Sequence, residues 1–127
     1  MVIFIVIDYI FYNYKMKEEI FECKSREYVI QIGENKSDNF DIIDQANITD
    51  IWFHVEGFPS CHIILKTDEK MRDIPNQVIK RCAYLCKINS KAKSLKICTI
   101  SYTTIDNITK TNVLGQVEVK KYKTVNV

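Results

Sequence analysis

Apolar residues in this chain fall mostly into short runs at strand spacing, interrupted twice by helical spacing. Val2–Tyr14 is rich in β-branched and aromatic residues with little alternation, which predicts one or two largely buried strands. The polar stretch Lys15–Glu19 reads as a connection. Tyr28–Ile32 reads as a strand ended by Gly33, with a polar turn from Glu34 to Asp38. Asn39–Ala46 is expected to form a short helix capped by Asp38, with Ile42 and Ile43 facing inward. Asp50–Val55 and Cys61–Thr67 are strands flanking the turn Glu56-Gly57-Phe58-Pro59-Ser60. A second helix begins near Asp73 and Pro75, where Val78, Ile79, Cys82, Leu85 and Cys86 recur at helical spacing. Leu95–Ile105 and Gly115–Val125 are the last strands, and Lys120-Lys121 breaks the alternation of the second as a bulge would. Strand pairs without helical crossovers imply an α+β fold, a mostly antiparallel sheet with two packed helices, in one domain spanning 1–127.

The turn at 56–60 predicts a register. If Val55 and Cys61 close it, Phe53 opposes Ile63 and Ile51 opposes Leu65, so all six apolar residues share the core face. The other face pairs His54 with His62, Trp52 with Ile64, and Asp50 with Lys66. Opposed side chains lie about 5 Å apart at Cβ, so the two histidines, the only ones in the chain, should touch. Three readings fit this face. It is a half-exposed polar surface with Trp52 packed under the second helix. It is a metal site, although no third or fourth ligand falls on that face. Or it is a contact surface for nucleic acid, since imidazole and indole rings stack on bases.

Composition narrows the class. With 127 residues, 46% hydrophobic and 27% charged, the chain has the make-up of one ordinary globular domain. The net charge of +2 conceals an asymmetry: residues 1–79 carry 8 Lys and Arg against 14 Asp and Glu, residues 80–127 carry 10 against 2. A half that basic suits a polyanion partner, or the two halves attract each other across the fold. Five cysteines in no zinc-knuckle spacing imply free thiols in a reducing compartment, and Cys82 and Cys86 read as small apolar fillers on one helix face. The apolar start lacks a basic leader and is too short to cross a bilayer, so a cytoplasmic protein with no membrane partner is expected. The sequons at Asn47 and Asn107 are then chance matches. No phosphate loop or nucleophile elbow occurs, and no cofactor or metal is expected. Cys61 and His62 are strand neighbours whose side chains diverge, which disfavours a Cys–His nucleophile.

Asp50-Ile51-Trp52-Phe53-His54-Val55, Ser60-Cys61-His62-Ile63, Gly33 with Asn39, Asp73-Ile74-Pro75 before Cys82-Ala83, Thr109-Lys110-Thr111 and Gly115-Gln116-Val117 together resemble the NFACT-R domain. That domain is the RNA-binding module of NFACT proteins. The resemblance spans about residues 28–120 and is strongest at Asp50–Ile63. Within the family it is nearest the small stand-alone eukaryotic type, but with Met16–Cys23 as an apparent insertion and without that type's long charged C-terminal helix. The resemblance implies a non-enzymatic RNA-binding module, engaging transfer RNA or ribosomal RNA in translation or ribosome quality control. A module docking on a ribosome-associated protein is the alternative, and a histidine-dependent nuclease the third reading. Asn39, Trp52, His54, His62, Lys110, Lys120 and Lys121 are the candidate RNA-binding residues. Trp52, His54 and His62 are expected on one side of a shallow surface lined by the lysines, with the lysines supplying salt-dependent affinity.

Overall fold

The computed structural model describes residues 17–127, so the strands expected in Val2–Tyr14 lie outside the described residues. Strand β1 (Lys17–Cys23) and β2 (Arg26–Ile32) form a hairpin in which Cys23 opposes Arg26. Lys24 and Ser25 between them have φ of 52° and 61°, as a type I′ turn requires. Residues read as connection and insertion are therefore the outermost strand of the main sheet among the described residues. Phe21 and Cys23 pack on the core, and Glu19 accepts two hydrogen bonds from Arg81.

Helix α1 (Lys36–Asp44) starts earlier than expected. Asn35 is its cap: Asn35 Oδ1 accepts the Asp38 N–H at 2.9 Å, which leaves Asp38 inside the first turn. The hairpin of β3 (Ile51–Val55) and β4 (Ile63–Lys66) has the expected register, with Ile51 opposite Leu65, Trp52 opposite Ile64 and Phe53 opposite Ile63. Helix α2 (Asn76–Ile88) follows Pro75, and β5 (Thr99–Thr104) pairs with β3. The expected final strand divides in two. Val117–Val119 (β7) pairs with Ile108–Lys110 (β6) in a small ribbon, while Lys123–Asn126 (β8) pairs with β5. Lys120-Lys121 is thus the passage from ribbon to main sheet and not a bulge.

The main sheet runs β1-β2-β4-β3-β5-β8, with every neighbouring pair antiparallel. Both of its faces are covered, which makes this an α+β fold of helices and ribbon around one sheet. On the first face the apolar stripe of α2 (Val78, Ile79, Cys82, Leu85, Cys86) packs on Ile51, Phe53, Val55, Ile63 and Leu65. The cysteines there are buried and unpaired as fillers, and burial raises the Cys82 and Cys86 thiols above their usual range. On the second face Trp52 and Ile64 pack against Ile42 and Ile43 of α1, with Ile108, Val117 and Val119 of the ribbon beside them. Trp52 therefore lies under the first helix, not the second.

One node joins α1 to the sheet. Gly33 extends β2 opposite His62, and its N–H donates to the His62 carbonyl at 2.9 Å. The return bond, from the His62 N–H, goes to Asn39 Oδ1 at 2.9 Å. A Cβ on Gly33 would lie 2.3 Å from that same oxygen. Gly33→Ala is expected to destabilise the fold by roughly 2 kcal/mol, because the clash and the lost bond coincide. In an Asn39→Ala background the same change should cost clearly less, and a double-mutant cycle by urea denaturation reads the difference.

Candidate nucleic-acid interface

Strand β3 sends Ile51, Phe53 and Val55 to one face and Trp52 and His54 to the other, so the alternation of the sequence becomes two chemistries. Trp52 is 3% exposed and His62 2%, while His54 is half-buried. The Trp52 and His54 rings lie nearly parallel, 7° apart at 5.7 Å between centroids. His62 stands edge-on to both, at 5.5 Å from Trp52 and 5.2 Å from His54. The expected contact between the histidines is therefore present. The expected shallow surface is not, because α1 and the ribbon cover Trp52.

Asp50 has a structural post. It is 1% exposed and pairs with Lys66, and it accepts the Asn47 N–H at 2.8 Å and the Thr67 N–H at 3.0 Å. A buried carboxylate held by a cation and two backbone donors is well compensated.

A cavity of about 710 Å³ opens at the end of the sheet, between the Pro59–His62 segment, the start of α1, the Asn89–Lys91 loop and the Val113–Gln116 loop. A second of about 300 Å³ lies beside it against Trp52, Val117 and Val119. His54, His62, Gly115 and Gln116 wall both. Gly115 has φ of 82°, and a Cβ there would come within 3.0 Å of the Lys36 side chain, so this loop closes down on α1 only as glycine. Cavities of this size are typical of small-molecule and cofactor sites.

The electrostatics of the rings follow from burial. Desolvation pushes His62 down to about 3, assisted by the neighbouring His54, and desolvation also lowers His54. Both shifts favour the neutral form of the imidazole. His62 Nδ1 and Trp52 Nε1 are buried without a hydrogen-bond partner among the described residues. Among the described residues, no group of three His, Cys, Asp or Glu side chains could hold a metal ion.

The structure thus brings together Asn39, Trp52, His54 and His62, with Asn39 acting through the His62 backbone. It does not bring the three other expected residues to the cavity. Lys110 pairs with Asp44 and lies over the Phe40 ring, 5.2 Å from its centroid, while Lys120 and Lys121 are exposed beyond the ribbon. The cations that do wall the larger cavity are Lys36 and Lys91, both exposed. Sequence reading passed over them because isolated surface lysines carry no periodic signal. The one available clue was the run Lys91, Lys93, Lys96 directly after the α2 stripe.

Comparison with known proteins settles the family. The profile described as the NFACT protein RNA binding domain matches residues 11–121. The chain belongs to the NFACT-R family. Coiled-coil domain-containing protein 25 of Mus musculus is 35% identical over 108 residues, which cover 81% of this chain and 52% of that protein. The Saccharomyces cerevisiae protein JLP2 is 32% identical over 101 residues, covering 75% of this chain and 49% of its own length. This NFACT-R chain therefore spans about half the length of the curated relatives it matches. The C-terminal part of the fibronectin/fibrinogen-binding protein from Streptococcus suis has the same fold, with a TM-score of 0.76 at 23% identity, over 89% of this chain and 45% of that one. No helix among the described residues is long and apolar enough to cross a membrane.

Burial of His62 has a measurable consequence. Its folded-state value near 3 lies below the ordinary 6.5, so its contribution is fully present above pH 6.5 and is lost as pH falls toward 3. Each pH unit in that window is expected to cost about a factor of ten in the folding equilibrium from this residue alone. His62→Phe should flatten the acid limb of stability between pH 6.5 and 4, measured by denaturant titration.

Proposed function

We propose that this NFACT-R domain binds RNA without hydrolysing it, using the cavity mouth and the lysine loop beside it. The observation that carries this reading is the juxtaposition of a cavity walled by neutral aromatic and imidazole rings with an uncompensated basic loop. Lys91, Lys93 and Lys96 are exposed, and none is in an ion pair among the described residues. The loop is fastened to the β3–β4 turn by the bridge between Ser60 and Ser90 and by the bond from the Lys91 N–H to the Pro59 carbonyl. Its charge is therefore held in place beside the rings. Mobile phosphates meet lysines with release of counterions, and rings give bases a place to stack.

Family membership supports the same reading, and it extends to transfer RNA or ribosomal RNA in translation or its quality control. Lys120 and Lys121 are exposed and remain part of the proposed contact, as a second basic strip away from the cavity. Lys110 is proposed to take a phosphate only by releasing Asp44. A protein partner is the second reading, favoured by Val113 and Leu114, each 51% exposed at the cavity wall. The two readings separate by salt, because an apolar interface responds weakly to it.

Fluorescence anisotropy with labelled transfer RNA and an unstructured RNA oligomer tests the proposal. Lys91→Glu/Lys93→Glu is expected to weaken binding strongly and to reduce the salt slope by about one per lysine that contacts phosphate. Lys120→Glu/Lys121→Glu is expected to weaken it less. No binding of either RNA at low salt by the folded protein would overturn the reading.

A further inference from the structure

We propose that the twin cavity beside β3 receives one unstacked nucleobase of a single-stranded RNA, gripped by the ring nitrogens of Trp52 and His62. The inference rests on the RNA-binding reading and specifies which part of the RNA enters the protein.

The first observation is a pair of missing partners. Buried polar atoms in native proteins nearly always find one, since leaving a donor or acceptor dry and unpaired is unfavourable. Trp52 Nε1 and His62 Nδ1 have none, although both residues are more than nine-tenths buried. Both rings wall the smaller cavity, and their centroids are 5.5 Å apart. The remaining orphan among the described residues, Gln31 Oε1, belongs to a residue that lines neither cavity. Two orphans in rings that wall one cavity mark a place where an entering ligand, with a small turn of the rings, supplies the bonds.

The second observation is the kind of ligand these atoms suit. The indole N–H can only donate, while a neutral imidazole carries one donor and one acceptor. Together they match the mixed donor and acceptor edge of a base and not the acceptor-only surface of a phosphate. The charges agree with this division. Lys36 and Lys91 are exposed at the walls of the larger cavity, beside the equally exposed Glu34, and no charged residue lines the smaller one, so the phosphodiester suits the larger cavity and the base the smaller.

The third observation is the room. The smaller cavity has apolar sides from Val117 and Val119, and it joins the larger one at His54, which is half-buried. A flat ring in the smaller cavity would thus lie against Trp52, His54 and His62. Recognition of single-stranded RNA commonly works in this way, by splaying a base out, stacking it and bonding its edge.

Trp52 is the one tryptophan of the chain, so its emission reports on this cavity directly. The experiment titrates the protein with AMP, CMP, GMP and UMP, with ribose 5-phosphate as the control that lacks a base. At least one monophosphate should change the emission saturably, and ribose 5-phosphate should not. His62→Phe keeps the ring volume and removes the orphan. It is expected to melt at or above the wild-type temperature, to lose the response, and to bind the RNA oligomer roughly tenfold more weakly at unchanged salt slope. Should His62→Phe fail to fold, Gln116→Tyr serves instead, since Gln116 is an exposed residue shared by both cavities. It should block the response by filling their junction.

An equal response to ribose 5-phosphate would overturn the base pocket in favour of an anion site. Absence of any response, with RNA bound equally by wild type and His62→Phe, would overturn the base pocket and leave the RNA reading intact. A monophosphate response without binding of any RNA would overturn the RNA reading and confine the pocket to free nucleotides.

Discussion

The bond from the His62 N–H to the Asn39 side chain is the constraint on which the site depends. In an antiparallel pair two opposed residues exchange both backbone bonds. At Gly33 and His62 one of the two is given up, because the chain leaves the sheet to begin α1. Asn39, on the first turns of that helix, supplies the missing acceptor from its side chain. The helix is thereby fixed against the end of the sheet at one point, and Gly33 has to be glycine for the asparagine to come so close. With α1 seated there, its Ile42 and Ile43 cover Trp52 and Ile64, and the second face of the sheet becomes dry.

A sheet covered on both faces needs apolar residues at successive positions, and β3 and β4 supply them everywhere except at His54 and Lys66, with buried Asp50 and His62 immediately before the two strands. Asp50 is fully compensated by Lys66 and two backbone donors. The imidazole of His62 and the indole of Trp52 are not. Polar atoms buried without a partner are unfavourable, so these two rings are a concession of stability. Such concessions cluster at functional sites, where groups are kept unpaired in the absence of a partner. Depression of both histidines follows from the same burial, which favours their neutral form.

The charge asymmetry between the two halves of the chain turns out to serve two purposes. Arg81 of the basic half holds Glu19 of the acidic half, and Lys110 holds Asp44, so part of the asymmetry is spent on joining β1 to α2 and the ribbon to α1. Lys91, Lys93 and Lys96 remain outside these pairs and exposed among the described residues. Charges that fasten the fold and charges that face solvent look alike in a composition. Only their neighbours in space separate them.

Much was legible without coordinates of any kind, and it was what alternation controls. The β3–β4 register followed from six apolar residues that had to share one face, because a shift by one would have turned all of them to the other side. The contact of His54 with His62 came with it. The helix at Asn76–Ile88 followed from one continuous apolar stripe. Strand β1 was missed because its charges mask a two-residue period that only half-buries Glu19, Phe21 and Cys23, and the division of the last strand because both pieces are short. Which segments cover Trp52 could not be read. Whether a half-polar face is open or closed depends on where distant segments pack, here α1 and the ribbon, and no local pattern records that. For the same reason the cavity belongs to the tertiary structure alone: its walls come from five separate segments, and Lys36 and Lys91 acquire meaning only where the fold sets them beside the histidines.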